Sequence, residues 1–308
     1  MQENLNSLHK NGLSMRNYNI ANHIIAIDFG STDCSESLIP SFTPFSYYGK
    51  EKPLLTVRLV EVFPTEDDTI EIGIFDVGGC DYGVYRRLCG GYQIRLHDSF
   101  NHLCAIMQSD ATFTHCDVIV FDGPEAQRHY GLNNCMMMAF AFATATLDTV
   151  LIHSSVILHK TMGYLMTAPS GTGKSTHTHL WYTNIPECEL LNDDNPIIRI
   201  KSDGTAYVYG SPWSGKTACY RNIHAPIGGI VRIRQHSENI IRHLRPIEAF
   251  TILLPACSNM KWDKRIYNGI CDSVSKLIQK VNIWELKCLP DDNAAKLCHD
   301  TICKECHI

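Results

Sequence analysis

With 308 residues, 44% of them hydrophobic and 19% charged, the chain has a globular composition and enough length to bury one large core or two modest ones. Its net charge of −5, with neither sign gathered into a long block, argues against a basic face for nucleic acid. Residues 1–19 are polar and lack a secretory core segment, so a cytoplasmic protein with no membrane partner is expected, its fourteen cysteines kept as thiols.

In chain order, residues 1–18 are expected to be loose. From Asn22 to Asp122 short apolar alternations are broken by turn residues. His23 to Phe29, Leu54 to Val62, Ile70 to Val77, Tyr92 to Leu96 and Val118 to Phe121 read as strands. The pattern predicts a mainly β domain over residues 1–125, closed by Asp122-Gly123-Pro124. A helix starts near Tyr130 and takes up the longest apolar run, residues 135–147, which falls short of the ~20 residues a spanning helix needs. Residues 126–308 make a second domain in which strands and helices mix, so the chain reads as α/β. No internal repeat or low-complexity tract is present.

Val150 to His159 and Gly163 to Ala168 are separated only by Lys160-Thr161-Met162, which predicts a hairpin with His153 across from Ala168 or Pro169. The next residues, Ala168-Pro169-Ser170-Gly171-Thr172-Gly173-Lys174-Ser175, fit a Walker A phosphate-binding loop (P-loop) between an apolar strand and a polar helix, with Ala168 where the pattern has Gly. Backbone N–H groups of Ser170 to Lys174, the helix N-terminus and the Lys174 ammonium would together hold a polyphosphate. The Ser175 hydroxyl suits magnesium, a hard ion that prefers oxygen ligands.

Leu190-Leu191-Asn192 leads into Asp193-Asp194. Neighbouring strand residues point to opposite sides, so one carboxylate could hold a metal while the other takes a proton from an attacking hydroxyl; either alone could instead cap the turn before Asn195-Pro196. Ile197 to Lys201 and Thr205 to Gly210 flank Ser202-Asp203-Gly204, a strong hairpin signal that sets Asp194 opposite Trp213. Arg232 and Arg234 share one face of a strand over residues 230–235 and could meet an anion or simply be solvated. Two helices close the chain, 261–280 and 291–303, the first with Trp262, Ile266, Ile270 and Val274 at core spacing. His177 and His179 are a poor metal pair, being two apart on a helix. A zinc site from Cys298, Cys303, Cys306 and a nearby histidine is one reading of the C-terminal cysteines, a frayed tail with thiols the other.

Ile152-His153-Ser154-Ser155, residues 168–176 and Leu191-Asn192-Asp193-Asp194-Asn195 together resemble the C-terminal domain of HPr kinase/phosphorylase, over roughly residues 150–235. ATP-dependent phosphoenolpyruvate carboxykinase shares that type of nucleotide core. The resemblance implies a P-loop kinase domain in which Ser170, Gly171, Thr172, Gly173, Lys174, Ser175 and Thr176 bind ATP. It further implies Mg2+ on Ser175 and Asp194, Asp193 as the base, and His153 near the γ-phosphate. Lys216 and Arg221 have no counterpart there and are candidate phosphate or substrate contacts. The glycine-rich signature that follows the aspartates in HPr kinase is missing, Ala225-Pro226-Ile227-Gly228-Gly229-Ile230 being a different segment, so phosphorolysis is not expected.

The expected activity is transfer of the γ-phosphoryl group of ATP to a hydroxyl, as a serine kinase would do, the acceptor being a peptide, a protein or a small molecule. The other reading is an ATP-binding switch that engages a partner without phosphotransfer. Whether the protein is a homo-oligomer is left open.

Overall fold

Strands such as Leu55–Leu59, in which buried Leu55, Val57 and Leu59 alternate with outward Thr56 and Arg58, place one apolar face on a core. The computed structural model describes residues 15–30, 32, 34–65, 68–215 and 217–303. It is mixed α/β, with two large sheets and few helices, and it divides after Ala143 into two compact units.

The first unit holds nine strands: β1 (Met15–Ile20), β2 (His23–Asp28), β3 (Ser46–Tyr47), β4 (Leu55–Leu59), β5 (Thr69–Asp76), β6 (Asp81–Arg87), β7 (Tyr92–His97), β8 (Leu103–Ser109) and β9 (His115–Val120). They form one sheet in the order β3-β1-β2-β4-β9-β8-β7-β6-β5. The β2–β4 and β4–β9 pairs are parallel, the rest antiparallel. Helix α1 (Glu125–Ala143) lies on β4, β8 and β9. Its approach is close because residue 131 is glycine: a Cβ there would sit 2.9 Å from the Cys104 carbonyl oxygen and from the Ala105 side chain. Leu132, Cys135, Met136 and Phe140 are fully buried, Leu132, Met136 and Phe140 each contributing on the order of 1.5–3 kcal/mol.

Two expectations change here. The helix that the sequence assigns to the second domain belongs to the first unit, because it packs on β4, β8 and β9 of the first sheet. Residues 15–18 are paired strand rather than loose chain; the remainder of that segment, 1–14, lies outside the described residues.

The second unit comprises β10 (Thr149–Leu151), β11 (Ser154–His159), β12 (Met162–Thr167), β13 (Cys188–Asp194), β14 (Ile197–Ile200), β15 (Ala206–Tyr209), β16 (His224–Gln235), β17 (Ile240–His243) and β18 (Ile283–Cys288). Its helices are α2 (Lys174–Asn184), α3 (Pro246–Leu253), α4 (Lys264–Ile278) and α5 (Asp292–Ile302). The sheet runs β10-β14-β15-β16-β12-β11-β13, with β18 beside β16 and β17. Strand β12, which feeds the glycine loop, is parallel to β16 and antiparallel to β11. Helices α2 and α5 pack together over one sheet face, burying Ile157, Met166, Trp181, Val231, Leu286 and Cys298 in a single cluster. Aspartates start α4 and α5: Asp263 accepts from the Ile266 N–H at 3.0 Å and Asp291 from the Ala294 N–H at 2.8 Å.

The β11–β12 hairpin has the expected register, Ser154 facing Thr167 and His159 facing Met162. The strand expected over 150–159 is broken, because Ile152 bridges to Cys257 and the His153 N–H donates to the Ala256 carbonyl at 2.8 Å. Asp194 bridges to Ser214 instead of Trp213. Segment 210–213 is longer than segment 195–196 opposite it, which shifts the register beyond the Ile197–Tyr209 pair.

Candidate functional site

The turn after β12 is shaped by glycine. Gly171 and Gly173 have φ of +75° and +113°, in the left-handed region that a side chain disfavours, and open space surrounds both Cα atoms. Gly173 ends the loop and α2 begins at Lys174. The N–H groups of Ser170, Gly171 and Gly173 have no acceptor among the described residues. Unsatisfied donors at the positive end of a helix form an anion-binding hollow. Ser170, Gly171, Ser175 and Thr176 are exposed there, whereas Lys174 is buried.

The Lys174 ammonium donates to the Ala168 carbonyl at 3.2 Å and lies 2.6 Å from His153 Nε2. Burial draws its pKa below the ordinary lysine value, against the opposing pull of Asp194 and Asp193. The other ring nitrogen of His153, Nδ1, is 2.9 Å from Asp194 Oδ1. A continuous chain therefore runs from loop lysine through histidine to carboxylate.

Asp193 faces another direction. Because β11 and β13 are neighbours, Ser155 stands directly opposite Asp193 and Ser154 opposite Asp194. The Ser155 hydroxyl donates to Asp193 Oδ1 at 2.5 Å, and Ser175 Oγ lies 3.4 Å from the same oxygen. The two acids thus have separate partners, as adjacent strand residues must: Asp193 is turned to the start of α2 and Asp194 to His153.

A loop after β15 holds these acids from behind. The Ser214 hydroxyl donates to the Asp193 carbonyl at 3.0 Å, and the Gly215 N–H donates to the same oxygen. Asn192 Nδ2 reaches Ser211 Oγ at 3.2 Å and the Trp213 carbonyl at 3.3 Å, and Ser211 donates to the Asn195 carbonyl at 2.6 Å. Asn195 Nδ2 donates to Asp194 Oδ2 at 2.9 Å. Asp194 itself has φ of +138°, a backbone conformation rare for any residue but glycine.

The structure brings His153, Lys174, Ser175, Asp193 and Asp194 together around the loop of Ser170 to Thr176. Arg221 is not with them: it donates to the Leu190 carbonyl at 2.7 Å and pairs with Glu189 at 2.9 Å, at the opposite end of β13 from the acids. Lys216 lies outside the described residues. Arg234 pairs with Glu285 at 3.4 Å, which also binds Arg242, while Arg232 sits beside Thr167, the last residue before the loop. His177 and His179 part company, His177 accepting from the Trp181 indole at 3.2 Å and His179 lying 2.9 Å from the Tyr182 hydroxyl.

Ser155, Ser214 and Gln235 also stand at the site, although their sequence context assigns none of them a role there. Gln235 Nε2 donates to the Thr172 carbonyl at 3.2 Å. Ser155 was within reach of counting only if β11 were known to lie between β12 and β13. Beside the loop a cavity of about 400 Å³ opens between Gly171, Thr176, His177, Leu180, Ile233 and Pro290.

No family model matches the chain, and no curated protein matches it. Among solved structures the chain is similar to the Hpr(Ser) kinase/phosphatase from Coxiella burnetii, at 11% identity and a TM-score of 0.30, over 50% of this chain and 95% of that one. This is a distant structural relationship, too slight to bear on chemistry.

Proposed function

We propose that the second unit is an ATP-dependent phosphotransferase acting on a hydroxyl group, serine being the best candidate acceptor. The observation that carries this reading is the linked set of groups at the glycine loop: Lys174 to His153 at 2.6 Å, His153 to Asp194 at 2.9 Å, and Ser175 to Asp193 at 3.4 Å. A bare phosphate-binding loop has no use for two acids and a histidine; transfer to a hydroxyl needs a metal ligand and a base as well as the loop.

The residues fit the group they would hold. Unsatisfied loop N–H groups and the α2 N-terminus suit phosphate oxygens, and the adjacent cavity suits a nucleoside. Ser175 Oγ and Asp193 Oδ1 are hard oxygen ligands close enough to serve one Mg2+, directly or through its water. When bound, ATP and Mg2+ supply the phosphoryl group and charge neutralisation.

The geometry favours exchanging the roles that the family resemblance gives the two acids. Asp193 is 5% exposed, tied to Ser155 and turned toward Ser175, as a metal ligand should be. The Asp194 side chain is 33% exposed and lies against the 38% exposed His153, so it can reach the proton of an incoming hydroxyl. Lys174 neutralises phosphate charge, and His153, joined to both, holds ammonium and carboxylate in position. Catalysis then consists mostly of positioning and charge stabilisation.

The test uses γ-labelled ATP, Mg2+ and a panel of serine peptides and hydroxyl-bearing metabolites. The wild type should transfer label to at least one acceptor. Asp194→Asn should transfer about 10²–10⁴-fold more slowly while binding ATP within a few-fold of wild type. Asp193→Asn should instead weaken the Mg2+-dependent part of nucleotide binding. Tight ATP binding with no transfer to any acceptor would favour the switch reading.

A further inference from the structure

His159, His299 and Cys303 meet at the far end of the β11–β12 hairpin from the glycine loop. His159 closes β11 beside the turn, whereas the loop leaves the other end of β12, roughly 17 Å away at strand rise. His299 and Cys303 stand one helical turn apart at the end of α5, where the Cys303 N–H donates to the His299 carbonyl at 3.0 Å. Each of the three residues offers one ligand atom, and these atoms all lie within 4.8 Å of one another.

The ring geometry is specific. Nε2 of His159 and Nε2 of His299 face each other at 3.4 Å, with the rings at 84°. Two nitrogens bound at 2.0–2.1 Å in a tetrahedral zinc site would lie about 3.4 Å apart. Each ring is also held from behind on its other nitrogen: His159 Nδ1 is 3.4 Å from Cys188 Sγ, and His299 Nδ1 is 3.1 Å from Asp300 Oδ1. A neutral imidazole that donates through Nδ1 keeps a lone pair on Nε2. With both rings in that tautomer the two lone pairs converge on one point, an arrangement that is repulsive by itself and attractive around a cation. A carboxylate behind a ligating imidazole, as Asp300 stands behind His299, is a usual outer support of a metal site.

We propose that His159, His299 and Cys303 bind one borderline-soft divalent cation, best matched by Zn2+, with a water molecule as the fourth ligand, in a site that clamps the end of α5 to the β11–β12 turn. Imidazole and thiolate are the donors such an ion selects over Mg2+. Binding replaces the S–H bond of Cys303 with a metal–sulfur bond and releases that proton to solvent. The ligand set differs from the cysteine-rich one considered from sequence: Cys298 is fully buried in the apolar cluster under α5. Cys306 and His307 lie outside the described residues. The site is separate from the proposed ATP site and stands whether or not that reading does.

The full chain, freed of metal by chelator, is titrated with Co2+ and then Zn2+. A single tetrahedral site is expected, shown by visible d–d absorption and a near-ultraviolet sulfur-to-cobalt band, both bleached by Zn2+. Cys303→Ser should lose the sulfur band, and His159→Gln and His299→Gln should each weaken binding at least tenfold in competition with a chromophoric chelator. A Cys306→Ser/His307→Gln chain should keep the sulfur band. Zn2+ should also raise the wild-type Tm, a reading that needs no variant to fold. Absence of a cobalt spectrum in the wild type, a sulfur band surviving Cys303→Ser, or its loss in the tail variant would each overturn the assignment.

Discussion

His177 shows how one buried side chain sets a pH dependence. It lies in the first turn of α2, accepts from the Trp181 indole, and its Nδ1 has no partner among the described residues. Burial pushes its pKa from 6.5 down to about 4. Between those values the unfolded chain binds a proton that the folded chain refuses, so the neutral ring's contribution is complete above pH 6.5 and is lost as pH falls toward 4. The loss is on the order of 3 kcal/mol across that window. Urea denaturation of the wild type should therefore weaken from pH 7 to pH 5 more steeply than that of His177→Phe; equal slopes would refute this origin. At the glycine loop the same scale gives a second expectation. Gly173→Ala meets nothing within 4 Å yet must adopt φ of +113°, which costs about 1–2 kcal/mol of backbone strain. Thermal denaturation should show a Tm lower by several degrees, and no change would mean that the loop relaxes freely.

At the scale of elements, the proposed chemistry depends on β11 lying between β12 and β13. That placement turns a hairpin legible from its short turn into a site, because it sets Ser155 against Asp193 and Ser154 against Asp194. The hairpin, the glycine loop, the Asp-Gly turn and the aspartate-capped C-terminal helices could be read from local pattern, since each is fixed by residues near in sequence. The break at Ile152-His153 could not, because it is made by Ala256 and Cys257, about a hundred residues away. Strand β6 escaped notice because Gly83 and its arginines obscure the alternation. The longer segment that puts Ser214 opposite Asp194 leaves no local signal either, since turn chemistry gives the register only next to the turn. Arg221 stands apart from the loop for a related reason: its charge is paired with Glu189 across a short gap that only the fold creates.

Across the whole molecule, the catalytic candidates belong to the second unit, and every contact used in the proposal lies within residues 144–303. The first unit, a nine-stranded sheet with α1 on it, supplies none of them. No helix among the described residues is long and apolar enough to cross a membrane. In the proposed site Lys174 and its glycine loop hold the phosphates of ATP, with Mg2+ beside Asp193. Calorimetric titration with a non-hydrolysable ATP analogue tests it most directly, comparing the wild type with Lys174→Met in the presence and absence of Mg2+. The expected result is saturable, Mg2+-enhanced binding to the wild type, weakened at least a hundredfold in Lys174→Met. No binding by the folded wild type, or equal binding by both proteins, would contradict the claim.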